Sequence, residues 1–163
     1  MTCLVWDGKY LCADKATTDP GHKVQKVFRI NDKVVCGLFG EIANAMKVVR
    51  WLQTNYTKKH HLQKDYPEFT SEDNFGVIVI DGSDNDRSKP LIREYTRFGK
   101  DPIDYIDTKT MAWGSGSPFA LGWMYAMEFM NVPFSGVSAV AVASTFDIFT
   151  GNESIAIGLY SSQ

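Results

Sequence analysis

Apolar and polar positions alternate in short bursts along this chain, broken by turn residues, and only a few stretches carry the longer period of a helix. Residues 2–13 hold two apolar arms, Leu4-Val5-Trp6 and Tyr10-Leu11, around Asp7-Gly8. Asp-Gly between such arms is a strong hairpin signal, so two strands turning at Asp7-Gly8 are predicted. That register pairs Thr2 with Ala13, sets Cys3 opposite Cys12, and brings Asp14 beside the start of the chain. Strict alternation puts Asp14 on the opposite face from Thr2, so a bulge or the strand end must turn it. Residues 15–23 read as a loop. Val24 to Ile30 alternates, turns at Asn31-Asp32 and returns as residues 33–39, a second hairpin. In it Lys26 shares a face with Val24, Phe28 and Ile30. An unpaired ammonium on a buried apolar face is costly. A carboxylate is expected beside it, and Asp14 is the candidate.

Gly37 and Gly40 close that strand. Ile42, Ala45, Met46, Val49, Leu52 and Tyr56 then fall on one helical stripe. The helix is expected to end within Lys58-Lys59-His60-His61, a solvated end rather than a metal site, because adjacent histidines diverge on a helix. Phe75 to Ile80 reads as a buried strand, 81–89 as a polar loop, Leu91 to Tyr95 as a strand, and 96–110 as an irregular charged connection. Met111-Ala112-Trp113 is a short strand. Ser117 as N-cap and Pro118 as first helical residue open a helix carrying Phe119 to Met130. A further helix runs from near Ser135 through Val137 to Thr150, with Gly151 as its stop. Ser154 to Tyr160 closes the chain as a strand. Helices arriving in a pair, not in βαβ alternation, predict an α+β sandwich of antiparallel sheets with helices outside. With no repeat and no linker, residues 1–163 read as one domain.

Composition narrows the function classes. The 163 residues suffice for one substantial core. A hydrophobic share of 44% against 22% charged is ordinary for a soluble globular chain. A net charge of -2 gives no general attraction to nucleic acid or anionic membrane. No apolar run has the length of a membrane span, and the start lacks the basic-then-apolar pattern of a signal peptide, so a cytoplasmic location is expected. Cys3, Cys12 and Cys36 show no metal-ligand spacing and are expected as free thiols. No phosphate-binding glycine-lysine loop is present.

The chemistry sits at the start, Met1-Thr2-Cys3. Once Met1 is removed, Thr2 carries a hydroxyl and a free α-amine. An α-amine has a pKa near ~8, against ~10.4 for a lysine, so it is available as a base. A threonine hydroxyl needs such a partner to act as a nucleophile.

Six pieces follow in order: Thr2-Cys3-Leu4-Val5; Ala13-Asp14; Val24-Gln25-Lys26-Val27; Gly37-Leu38-Phe39-Gly40; Gly114-Ser115-Gly116-Ser117-Pro118-Phe119-Ala120; and Asp147-Ile148-Phe149-Thr150-Gly151. Together they resemble the proteasome β-type subunits, especially the HslV-type peptidase subunit of the bacterial two-component ATP-dependent protease. The resemblance implies a four-layer αββα N-terminal-nucleophile hydrolase fold, assembled into a homo-oligomeric ring, with threonine-type endopeptidase activity on proteins or peptides. It implies Thr2 as nucleophile and Asp14 as the carboxylate holding Lys26. It makes Lys26 the cation that lowers the pKa of the terminal amine by like-charge repulsion and favours the deprotonated hydroxyl. Ser115 resembles the serine near the terminal amine. Asp147 and Thr150 resemble the aspartate and serine that complete the site, with threonine here in place of serine. Gly40 resembles the glycine whose N–H stabilises the oxyanion.

The same resemblance implies substrate positions. Thr17 or Thr18 pairs with the substrate backbone, the choice left open because the loop from Asp14 to Lys26 is shorter than in the bacterial relative. Leu38 and Ile42 resemble the walls of the first specificity pocket, which implies a hydrophobic side chain before the scissile bond; a plain core role is the alternative. The carbonyls of Ser144, Asp147 and Thr150 match a monovalent-cation (sodium) site, and hydrolysis itself needs no cofactor. Only Met1 precedes Thr2 and no long C-terminal extension follows, which favours the HslV-like branch. Unfolding by ATP then requires a separate ATPase unfoldase. Two alternatives stand beside this: a non-catalytic ring or scaffold subunit whose retained Met1 blocks the amine, and an N-terminal-nucleophile amidase acting on a small molecule. The Lys26/Asp14 pair and the Gly114–Pro118 turn favour the peptidase.

Overall fold

Nine strands and three helices form among the residues that the structure, a computed structural model, describes: 2–17, 22–56, 65–84, 89–98, 102–106 and 108–160. The first hairpin joins β1 (Leu4–Trp6) to β2 (Tyr10–Asp14) with Leu4 opposite Ala13, Val5 opposite Cys12 and Trp6 opposite Leu11. Its tip is therefore Gly8-Lys9, one residue later than the sequence predicts. The reason is Asp7, whose carboxylate accepts the N–H groups of Lys9 (2.9 Å) and Tyr10 (2.7 Å) and so takes the first corner of the turn. The shift moves each pairing by two residues and keeps every side chain on its face. Cys3 lies against Asp14 rather than Cys12, with Asp14 N–H donating to the Cys3 carbonyl at 3.2 Å.

The second hairpin, β3 (Val27–Asn31) with β4 (Val34–Gly40), carries a register shift between Arg29 and Asn31. Its turn moves on to Asp32-Lys33, where the Asn31 side chain accepts the Lys33 N–H at 3.0 Å. Helix α1 (Ile42–Asn55) stops before the predicted end. Tyr56 turns extended with its N–H on the Leu52 carbonyl, and its hydroxyl is anchored on Asp81 at 2.6 Å. The Lys58–His61 cluster lies outside the described residues.

Beyond it come β5 (Phe75–Asp81), β6 (Leu91–Thr96) and β7 (Ile103–Tyr105). β7 is a short strand in what reads as irregular connection, fixed by the Asp104 carboxylate on Arg93 of β6. After β8 (Met111–Trp113), α2 (Ser117–Phe129) begins one residue earlier than predicted. Gly116 occupies the N-cap and Ser117 is already helical. α3 (Gly136–Phe146) begins near Ser135 as predicted, and Ser135 caps it through a reciprocal bond pattern with Ser138. α3 ends at Phe146, not Thr150, and β9 (Ser154–Gly158) follows.

The strands form two antiparallel sheets, ordered β8-β1-β2-β9 and β3-β4-β5-β6-β7. Alternation along each strand divides the apolar residues between three packed layers. Leu4, Trp6, Leu11, Val35, Ile78 and Ile80 meet between the sheets. Cys36, Leu38, Val77 and Val79 lie under Ala45, Val49 and Leu52 of α1. Cys3, Val5 and Cys12 lie under Ala120, Met124 and Val140 of α2 and α3. The result is the α+β sandwich the sequence predicts, with layers in the order α1, sheet, sheet, α2/α3. No helix among the described residues is long and apolar enough to cross a membrane.

Candidate active site

Asp14 ends β2, and at that strand end its fully buried carboxylate becomes a hub. One oxygen accepts the Cys3 N–H at 2.9 Å. The other accepts Ala16 N–H at 3.0 Å, Gly151 N–H at 3.1 Å and Lys26 Nζ at 2.9 Å. No bulge interrupts the β1–β2 pairing, so the strand end alone performs the reorientation that alternation requires. Lys26 stands one residue before β3 and is as buried as its partner. It does not follow Phe28 and Ile30, which pack towards α1; it crosses to the carboxylate of the other sheet. Burial drives its pKa down, and the pull of Asp14 the other way offsets only part of that.

Thr2 is 1% exposed, and its Oγ1 is enclosed with no hydrogen-bond partner among the described residues. Orphaned buried hydroxyls are uncommon in folded proteins and ask for an explanation. The carbonyl of Thr2 lies against the turn that opens α2, where the Gly116 N–H approaches it at 3.5 Å. Gly114 there has φ +90, and a Cβ on it would stand 2.0 Å from that carbonyl oxygen. Only glycine permits the approach.

The next residue, Ser115, donates its hydroxyl to Asp147 Oδ2 at 2.7 Å. Thr150 Oγ1 donates to the same oxygen at 2.7 Å, and the Phe149 N–H to Oδ1 at 3.1 Å. Burial alone would raise the Asp147 pKa, but these three donors prevail and hold it below the usual carboxylate value. They also explain the early end of α3: Asp147 is its C-cap, and its side chain folds the following residues into a turn.

Cys3, beside Thr2, is a conceivable rival nucleophile. Burial, with Asp14 and Asp147 adding to it, pushes its thiol up to about 12, so it is protonated near neutral pH and unreactive. Cys3, Cys12 and Cys36 are all free and buried.

Gly40 ends β4 with φ +78, where a Cβ would lie 2.4 Å from the Asn74 carbonyl oxygen. Successive N–H groups along a strand point to opposite edges. Leu38 N–H donates to the Lys26 carbonyl at 2.9 Å, so the Gly40 N–H, two residues on, faces the same edge just past the start of β3. Leu38 is fully buried in the α1 layer, and Ile42 packs on that layer while keeping some exposed surface. Thr17 is partly buried and its hydroxyl donates to the His22 carbonyl at 3.3 Å. Thr18 lies outside the described residues. Ser144 sits in the last turn of α3, and the Asp147 carbonyl accepts Thr150 N–H at 3.0 Å. Among the described residues no cluster of His, Cys, Asp or Glu is placed to hold a metal ion.

The structure thus joins Lys26 and Asp14 to the Cys3 N–H beside Thr2, and joins Ser115, Asp147 and Thr150 next to the turn that meets the Thr2 carbonyl. Sequence reasoning missed the backbone donors of Ala16 and Gly151 on Asp14, since a main-chain N–H has no signature in residue type.

Two face-packed antiparallel sheets with helices outside both are similar to the N-terminal-nucleophile hydrolase fold of the proteasome type. The family described as Proteasome subunit matches residues 5–73. Among solved structures, the BPH protein of Thiobacillus denitrificans, in complex with epoxomicin, aligns with a TM-score of 0.63 at 18% identity, over 99% of this chain and 100% of that one. Eukaryotic HslV from Trypanosoma brucei aligns with a TM-score of 0.63 at 20% identity, over 98% of this chain and 99% of that one. No curated protein matches the chain in sequence. The likeness is to proteasome β-type, HslV-like subunits, in sequence over the first part of the chain and in fold over nearly all of it.

Proposed function

We propose that the chain is a threonine-type endopeptidase subunit of a self-compartmentalising ring, with Thr2 as its nucleophile after removal of Met1. The observation that carries this reading is the fully buried Lys26–Asp14 pair, tied through the Cys3 N–H to the residue next to Thr2. The α-amine of mature Thr2 takes the hydroxyl proton as Oγ attacks the peptide carbonyl carbon. The carbonyl π electrons move to oxygen, where the Gly40 N–H receives the charge. The protonated amine then gives its proton to the departing amine, leaving an ester on Thr2. Water, activated by the same amine, hydrolyses that ester and frees the enzyme. Lys26 lowers the pKa of both amine and hydroxyl through its charge. Ser115, Asp147 and Thr150 fix the surroundings of the amine.

Thr17 or Thr18 lines the substrate backbone. Leu38 and Ile42 shape an apolar first pocket. A monovalent cation at the carbonyls of Ser144, Asp147 and Thr150 would supply fixed positive charge to the α3 end. Protein substrates would reach the ring through a separate ATPase unfoldase.

The test is hydrolysis of a fluorogenic peptide with an apolar residue before the scissile bond, using protein whose intact mass lacks Met1. Activity should fall by more than about 10³-fold in Thr2→Ala. Undiminished activity in Thr2→Ala overturns the mechanism. A folded, processed chain inert towards peptides points to a scaffold subunit, and turnover of small amides alone points to an amidase.

A further inference from the structure

One polar cluster, centred on a buried asparagine, has no part in the reading above. Asn44, in the first turn of α1, is 7% exposed. Its Nδ2 donates to Asp73 Oδ1 at 2.7 Å and to Glu41 Oε2 at 3.0 Å, and its Oδ1 accepts Lys47 Nζ at 2.8 Å. Asp73 lies in the segment before β5. Its other oxygen accepts the Thr70 N–H at 2.6 Å and the Thr70 hydroxyl at 3.1 Å, and its carbonyl accepts Arg97 Nη1 at 3.0 Å.

None of this caps the helix. Glu41 occupies the N-cap of α1, and its side chain accepts from no backbone N–H of the helix start. The first-turn side chains instead tie α1 to the 70–74 segment, and that tie has a geometric consequence. Asn74, next to Asp73, accepts the Glu41 N–H at 2.9 Å, and its carbonyl oxygen fills the space where a Cβ on Gly40 would stand. The Gly40–Glu41 peptide is thereby pinned from one edge at the point where β4 ends and φ turns positive. The Gly40 N–H is left facing the opposite edge.

We infer that Asn44 and Asp73 are positioning residues that hold the Gly40 N–H in place for the oxyanion, acting through Asn74 and the Gly40–Glu41 backbone. This rests on the threonine-peptidase reading and adds two residues to it. The strand pairing at Gly40 and Phe75 is the last of the β4–β5 ladder, so past it the backbone rests on the Glu41 N–H to Asn74 bond, and the Asn44–Asp73 tie holds the segment that supplies this acceptor. A displacement of roughly 1 Å at such a donor is enough to lower the rate up to about 10²-fold.

A peptide aldehyde is the diagnostic probe. Thr2 Oγ adds to its carbonyl carbon, the π electrons move to oxygen, and the hydroxyl proton passes by way of the α-amine to that oxygen. The adduct oxygen occupies the place of the substrate oxyanion. Asp73→Asn and Asn44→Ser should each lower kcat about tenfold or more, change KM less than about threefold, and weaken aldehyde inhibition by the same factor as kcat. Exchanging the pair, Asn44→Asp with Asp73→Asn, together with Glu41→Gln to supply the donor that the new carboxylate at 44 needs, should restore both constants. Should a single variant fail to fold, the exchanged pair carries the test: wild-type constants support the assignment, and a folded but inactive exchange overturns it. Unchanged kcat in the single variants, or a lower kcat with unchanged aldehyde inhibition, also overturns it and leaves the peptidase reading standing. A processed wild-type chain without peptidase activity sinks both.

Discussion

Lys26 and Asp14 form an ion pair with no exposed side-chain surface. Such pairs gain little over an apolar core, yet removing one partner leaves a bare buried charge and costs about 3–5 kcal/mol. Asp14→Asn is therefore expected to lose both stability, read as a lower denaturation midpoint in urea, and peptide hydrolysis. Unchanged stability would mean the pair is solvated in the working protein. Asp147 contributes differently. Its pKa is lowered from 3.8 in the folded chain, so the unfolded chain binds more protons near that pH. The stability it supplies is whole above pH 3.8 and is lost as pH falls through the lower folded value. Asp147→Asn should flatten this part of a stability-against-pH curve, and an unaltered acid limb would contradict the hydrogen-bond assignment. Asp14 was legible in the sequence as the carboxylate that the lone Lys26 on an apolar face requires, and Asp147 only through the family resemblance. Their backbone partners were not.

At the scale of elements, side chains near the ends decided where the sequence reading slipped. Asp7 moved the first turn, Tyr56 ended α1, and Asp147 ended α3, each by bonding to groups that periodicity does not see. Strand existence and facing came through, because alternation survives a two-residue shift. The glycine turn before α2 is the element on which the site depends most. A Cβ on Gly114 would meet the Thr2 carbonyl at 2.0 Å, and its φ is positive. Gly114→Ala should displace Thr2, lowering stability by about 1–3 kcal/mol and abolishing most peptidase activity. An active, fully stable variant, judged by thermal melting and peptide turnover, would show that Thr2 does not rest on this turn.

At the scale of the whole molecule, the layer order followed from the paired arrival of α2 and α3 in the sequence. The outer face of those helices did not, because their apolar residues point both ways. Phe129 is 93% exposed, Ile148 89% and Phe146 64%, with Phe119 stacked on Phe146 at 5.7 Å. Exposed apolar side chains of this size on one helical layer are candidates for an interface between copies. A ring subunit of the proposed kind would cover some of them with further copies of itself. Sedimentation should give a species several times heavier than one chain, shifting towards the monomer in Phe129→Glu. A wild-type monomer at micromolar concentration would contradict the ring.

The central claim concerns two atoms of one residue, the amine and hydroxyl of a processed Thr2. Its most direct measurement is mass spectrometry of the protein after reaction with a peptide β-lactone, followed by mapping of the acylated residue. The account predicts a chain that lacks Met1 and carries one acyl group, on Thr2. A chain acylated on Cys3 instead, or one that hydrolyses peptides with Met1 still attached, would contradict it.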